Sequence, residues 1–451
     1  MTMTDLPSLP ENWVPPRPDT DLDVLIIGGS QSGMAIARAL RQAGIGRVRI
    51  VEAGPEGSFG MWTRAARMPV LRTPKTITGP ELGHRALGYP MWHDLQYGKG
   101  SFDALDAIRT ADWIAYLSWY RRVTEAPIDF EATVTAIERS GAHFTVTTGR
   151  GAVRVRKIIL ATGFAGCGGV VLPEVLAPLA TTGRITHSDQ AISADDLAGR
   201  RVAVIGAAAS AFDAAGAALN AGAVAVHLLA RRDTIVSGSP NRARSYPGAL
   251  DNYHLMPDRL RWEIARAARS HGMNPPARSV ARVAGDMRFS LHLAAPVEAA
   301  AWQAGEIRLV TPAARLAVDF VIAATGYSHD PARDPLLGPF AAQIQTWADR
   351  IGAESRSPWL DAHFALAPKA GGPDWLADIH VFTPVAAASH GRVVGDSPSL
   401  AGHVPLLVSG IARDLFLADL QAHEQRLLHG DAAAAEFPDS LWSQAALRAA
   451  E

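Results

Sequence analysis

Short apolar runs followed by helical stretches occur twice along the chain. Asp23–Ile27 reads as a strand buried on both faces, because its apolar residues are consecutive rather than alternating. A glycine-rich turn follows. Ala35, Ile36, Ala39 and Leu40 are then spaced for one buried face of a helix that runs through Ala43, with Gly44 at its C-cap. Arg47–Val51 alternates like a second strand and ends at Glu52. Together these form one strand–helix–strand unit. The same order returns downstream. Arg201–Ile205 is strand-like, Gly206 opens a turn, Ser210–Asn220 is helical, Gly222 ends the helix, and Ala225–Leu229 leads to Arg231. Between the units, Ala132–Thr148 holds two alternating runs. Val153–Ala161 reads as a buried strand ending in Ala161-Thr162-Gly163, and Phe320–Gly326 repeats that ending as Ala324-Thr325-Gly326.

This order predicts an α/β protein with two nested Rossmann-like dinucleotide-binding domains. The expected divisions are an extended lead-in over 1–20 and a first domain over 21–190. The second domain would follow over 191–320, and the first would resume over 321–451 with C-terminal helices. Within the second domain, Ser239–Pro276 reads as an excursion that carries a helix near Pro257–Ser270.

Composition narrows the function classes. With 43 Lys+Arg against 44 Asp+Glu, the formal charge is −1, which argues against a nucleic-acid or anionic-surface partner. The first eighteen residues have no basic n-region and no apolar h-region, so no secretory signal is expected. The apolar stretch Val202–Ala230 is broken by Gly206, Asp213, Gly216, Asn220 and Gly222, so no membrane span is expected there. A cytoplasmic location follows as the expectation. The single cysteine, Cys167, excludes an internal disulfide or a dithiol redox pair. Among 15 histidines there is no metal-ligand spacing, so no metal site is expected. Neither a nucleophile-elbow serine nor a P-loop is present.

The two turns carry the chemistry. Gly28-Gly29-Ser30-Gln31-Ser32-Gly33 fits a phosphate-binding turn. Gly28 permits the tight bend, Ser30 keeps the middle position small, and Gly33 lets strand and helix pack closely. The helix N-terminus supplies free N–H groups, and Glu52 is placed to accept hydrogen bonds from ribose hydroxyls. The second turn, Gly206-Ala207-Ala208-Ala209-Ser210-Ala211, keeps only its first glycine. Its acidic position is taken by Arg231-Arg232, which suits a 2′-phosphate and so NADPH. If it binds nothing, those arginines form a solvated face.

These features resemble the flavin-dependent monooxygenases that use FAD and NADPH: the flavin-containing monooxygenases, the Baeyer–Villiger enzymes and the ornithine and lysine N-hydroxylases. A looser resemblance is to bacterial FAD-dependent urate hydroxylases. Phe59-Gly60-Met61-Trp62 resembles the segment that approaches the isoalloxazine, and Arg109–Trp113 the arginine-containing helix. Gly183 and His187 match a family fingerprint whose flanking aromatics are here Thr181 and Ala191. Asp319–Tyr327 is similar to the N-hydroxylase ATGY motif, and Gly395-Asp396 to the pair that holds the flavin ribityl chain. The resemblance implies FAD contacts at Gly28, Gly29, Ser30, Gly33, Glu52, Trp62, Val134, Ala161, Gly163, Gly395 and Asp396. It implies NADPH contacts at Gly206, Ala207, Ser210, Arg231, Arg232 and Gly326.

The implied activity is a monooxygenase. NADPH reduces FAD, O₂ adds to give a flavin C4a-hydroperoxide, and one oxygen passes to a small organic substrate. Arg72, His390 and Arg392 are the candidate catalytic groups. Arg72 and Lys75 either bind an anion or are surface cations, and Trp62 either borders the flavin or fills the core. Two other classes stay open: an NAD(P)H reductase that passes electrons on without oxygenation, and an inactive nucleotide-binding partner protein.

Overall fold

A computed structural model describes residues 8–236, 246–270 and 274–430. Parts of the expected excursion and of the expected C-terminal helices lie outside the described residues.

The first strands are β1 (Leu22–Ile27), β2 (Val48–Val51), β3 (Ile128–Asp129), β4 (Val134–Ser140), β5 (His143–Thr148) and β6 (Gly151–Leu160). They form one sheet in the order β3-β2-β1-β6-β5-β4. β1 pairs in parallel with both β2 and β6, and the helix Gln31–Gln42 makes the crossover from β1 to β2. Val24, Leu25 and Ile26 are fully buried, as a strand covered on both faces requires.

A second parallel sheet uses β7 (Ile185–His187), β8 (Arg201–Ile205), β9 (Ala225–Leu229) and β10 (Phe289–His292). An antiparallel meander of β11 (Ala299–Gln303), β12 (Glu306–Val310) and β13 (Arg315–Val318) follows. The chain then returns as β14 (Phe320–Ala323), giving the order β10-β9-β8-β14-β7. Ile185–His187 and Phe320–Ala323, the strands nearest the expected divisions at 190 and 320, both pair in this sheet. Finally β15 (Ile379–Val381) pairs in parallel with β6 of the first sheet.

By length and composition one described helix, Ser397–Ala418, is long and apolar enough to cross a membrane. Leu400, Val404, Leu407 and Ile411 on this helix are buried against the first sheet's cluster. Cys167, at φ +69°, is fully buried in the same cluster, and its N–H donates to Asp334 at 2.8 Å. Burial pushes the thiol pKa well up.

Candidate active site

Strand, turn and helix touch at the first motif. Gly28 has φ +116°, and a Cβ there would lie 2.4 Å from the Ala161 carbonyl oxygen. At Gly33 it would lie 2.0 Å from the Gly28 oxygen. Ser30 caps the helix by backbone geometry only; its hydroxyl donates to the Phe59 carbonyl at 2.9 Å. The first turn holds no acidic residue, so its N–H groups and dipole favour an anion. Glu52 accepts from the backbone N–H of Gly29 at 2.8 Å and of Gly54 at 3.0 Å. These two donors hold the carboxylate beside the turn, and its remaining lone pairs suit ribose hydroxyls. Val134 opens β4 just past Ala132, whose N–H donates to the Glu52 carbonyl at 2.9 Å. Ala161 donates to Ile27 at 2.8 Å, and Gly163 follows at φ +75°, so this strand end lies against the turn. The cradle fits the pyrophosphate and ribose of FAD.

A network absent from the sequence reading joins three distant segments. Trp62 Nε1 donates to Gln31 Oε1 at 3.1 Å, and Gln31 Nε2 donates to the Gly395 carbonyl at 2.8 Å. Ser32 Oγ donates to the same carbonyl at 3.2 Å. Trp62 is half-buried, its ring 6.0 Å from that of Trp113. Asp396 caps the helix Ser397–Ala418, accepting from Ser399 N–H at 2.9 Å. Burial raises the Asp396 pKa above the ordinary carboxylate value, and the nearby Arg392 opposes that rise. Gln31 occupies a variable place in the turn motif, so only its reach to Gly395 reveals it.

The second turn keeps one close approach. A Cβ on Gly206, at φ +147°, would meet the Ala324 oxygen at 2.5 Å. Ala207 and Ala208 lead into the helix Ala209–Asn220, whose first turn holds no acid and whose Ser210 is exposed. Ala211, standing where a third glycine would be, is fully buried, so strand and helix pack here around a methyl. Gly326, at φ +85°, accepts from Val171 at 2.9 Å. Arg231 is exposed, and Arg232 is half-buried and reaches Asn274 at 3.3 Å. A turn able to take a pyrophosphate and an exposed arginine at the following strand end fit NADPH.

The catalytic candidates change most. Arg72 is already engaged: it pairs with Asp213 on the helix Ala209–Asn220, and Asp213 also accepts from Ser279 at 2.7 Å. It therefore ties the two sheets' units together. Lys75 is likewise committed, donating to the carbonyls of Phe102 and Asp103, each at 2.9 Å. His390 is 1% exposed and stacked on Phe364 at 3.7 Å and 11°, with Nε2 at 3.1 Å from the Asp361 carbonyl. Burial drives its pKa well down, so the ring is held neutral in a packed environment. Arg392 remains half-buried, its Nε sealed and without a hydrogen-bond partner.

A further seam links the units. Arg64 grips Asp189 through its carboxylate and its carbonyl, both at 2.8 Å, and Tyr327 donates to the same carboxylate at 2.9 Å. His187 accepts from the Asp189 N–H at 3.1 Å, and its ring meets Tyr327 edge-on at 5.6 Å. The fingerprint histidine thus organises the junction. Among the described residues, no group of acids, histidines and cysteine could hold a metal ion.

Comparisons with known proteins agree with this architecture. The family model for pyridine nucleotide-disulphide oxidoreductases matches residues 25–244. The L-lysine 6-monooxygenase from Pseudomonas syringae shares the fold at a TM-score of 0.69, with 20% identity, over 88% of this chain and 99% of that one. Ornithine hydroxylase from Pseudomonas aeruginosa does so at 0.68, with 18% identity, over 87% and 99%. The chain is also similar to the FAD-dependent urate hydroxylase of Xanthomonas campestris, at 32% identity over 440 residues, or 94% of this chain and 93% of that protein. A relation of that depth, running nearly end to end through both proteins, places the chain in the same family of flavin-dependent monooxygenases as that hydroxylase.

Proposed function

We propose that the protein hydroxylates urate or a close purine relative, with FAD as resident cofactor, NADPH as reductant and O₂ as oxygen source. The observation that carries this reading is the near end-to-end similarity to a urate hydroxylase, where the N-hydroxylases share only the fold. One oxygen atom enters the substrate and the other leaves as water, with NADPH supplying a hydride and solvent a proton. When bound, FAD mediates that electron flow. The chain's own part is positional. Gly28, Gly29, Ser30, Gly33 and Glu52 hold the dinucleotide, Trp62 and Asp396 set the ring and ribityl end, and Gly206 with Arg231 receives NADPH.

The test is anaerobic titration of the holoenzyme with NADPH, then exposure to oxygen with and without urate. Expected are flavin bleaching by NADPH and urate consumption matched one-to-one to NADPH oxidation. Bleaching with peroxide as the sole oxygen product would instead make the protein a reductase. No bleaching would make it an inactive nucleotide-binding protein.

Reductant choice rests on Arg231. Replacing it by Glu puts a negative charge against the 2′-phosphate. Arg231→Glu is expected to lower kcat/KM for NADPH roughly 10- to 100-fold, the effect of losing a charge-assisted hydrogen bond of about 1.5–3 kcal/mol, and to leave NADH nearly unchanged. Equal losses with both nucleotides would refute the 2′-phosphate assignment.

A further inference from the structure

Arg392 lies on the loop between the helices Ala387–His390 and Ser397–Ala418. A guanidinium nitrogen sealed from water with no acceptor is costly unless an anion completes it. The acid it acts on, Asp396, is committed to the helix cap.

Imidazoles cluster beside its loop, His390 lying 6.1 Å from His254 and 5.6 Å from His403 between ring centroids. His403 lies on the same helix as Asp396, two turns further on, and is 3% exposed with a sealed, unpartnered Nδ1. Arg392 and His254 both lie near enough to influence its ionisation. His254 comes from the other unit, in the short turn Tyr253–Leu255, and stacks over the packed His390 at 6.1 Å and 24°. That turn sits tight against the loop, for a Cβ on Gly391 would meet the Tyr253 ring at 2.4 Å. Both units therefore converge beside Gly395-Asp396.

The charges point one way. Burial lowers the pKa of His254, His390 and His403, the last to about 4, so all three are neutral at pH 7. Of the other groups facing them, Arg261 is paired with Asp258, and His363 Nδ1 lies 2.8 Å from the Leu406 carbonyl. This leaves the Arg392 guanidinium, whose sealed Nε lacks an acceptor, beside neutral rings that can each donate and accept.

We propose that Arg392, His403 and His254 form the recognition site for a planar nitrogen-heterocyclic monoanion, with Arg392 taking the charge and the imidazoles reading the ring edge. The proposal rests on the urate-type reading above and deepens it.

The test measures equilibrium binding to the oxidised holoenzyme by flavin difference absorbance. The probes are urate and orotate, two planar monoanions, and the neutral hypoxanthine. Arg392→Gln is expected to raise the Kd for both anions about 30-fold or more, with the FAD-to-protein ratio unchanged. Arg392→Lys should recover part of the loss. His403→Asn should weaken urate binding while leaving FAD content intact. An unchanged Kd in Arg392→Gln overturns the proposal. So does a parallel loss of FAD, which would make Arg392 a flavin-holding group, and so does a wild type that binds neither anion. If wild type binds both anions through Arg392 but does not turn over urate, the functional reading fails and the anion site stands.

Discussion

Gly33→Ala is expected to yield a protein that purifies nearly free of flavin. The added methyl would sit 2.0 Å from the Gly28 carbonyl oxygen and 3.2 Å from its carbon, both backbone atoms of the turn itself. Neither can step aside without moving the pyrophosphate cradle. Overpacking of this kind costs about 1–3 kcal/mol and occasionally more. A penalty of about 3 kcal/mol falling on the bound state is roughly a 100-fold loss of affinity. The flavin-to-protein absorbance ratio measures it directly. Gly402→Ala is the matched control, since its Cβ would meet nothing within 4 Å in the middle of the helix Ser397–Ala418. That variant should keep its flavin and gain about 0.5–1 kcal/mol from helix propensity. Full flavin content in Gly33→Ala would show that the pyrophosphate does not sit on this turn.

The second large effect is acid lability. His380, His390 and His403 are 0%, 1% and 3% exposed. Burial lowers their pKa values, to about 3 for His380 and about 4 for His403. The unfolded chain binds protons on these rings near pH 6.5, while the folded chain does not. Their contribution to stability is therefore intact above about pH 6.5 and is lost as pH falls toward the folded values. Below the unfolded pKa each ring withdraws about 1.4 kcal/mol per pH unit. Three such rings make the midpoint of urea unfolding drop steeply between pH 6.5 and 5. His380→Asn should flatten that slope by one proton, because the amide can still donate to the His363 carbonyl that His380 Nδ1 contacts at 2.9 Å. An unchanged slope would mean that His380 titrates normally in the folded chain.

The strand–helix–strand units were legible because their signals are local. β9 runs over Ala225–Leu229 as read, and the helices Gln31–Gln42 and Ala209–Asn220 end within one residue of the expected position. Periodicity and the glycine at each helix end supply both facts without tertiary information. The side chains that cross between units were not legible. Arg72 finds Asp213 141 positions away, and nothing in Leu-Arg-Thr-Pro-Lys announces that partner. His390 beside Gly391 reads as a candidate catalytic group; only the fold brings Phe364 flat against its ring. Gln31 was hidden for the opposite reason, since a residue inside a motif is read for its size and not for what its amide reaches. His403 left a faint trace, seven positions after Asp396 and so on the same face of one helix.

A protein that hands electrons to oxygen makes peroxide whenever the transfer misses its substrate. Its own thiols are the first casualties of such leakage, because the reactive species is the exposed thiolate. Here the lone thiol, Cys167, is closed off inside the core, where burial keeps it protonated. Misfired turnovers should therefore leave no sulfenic acid, no mixed disulfide and no cross-linked dimer. Inactivation over long reactions would be expected to follow methionine oxidation or flavin loss, and added thiol reductants should not prolong activity.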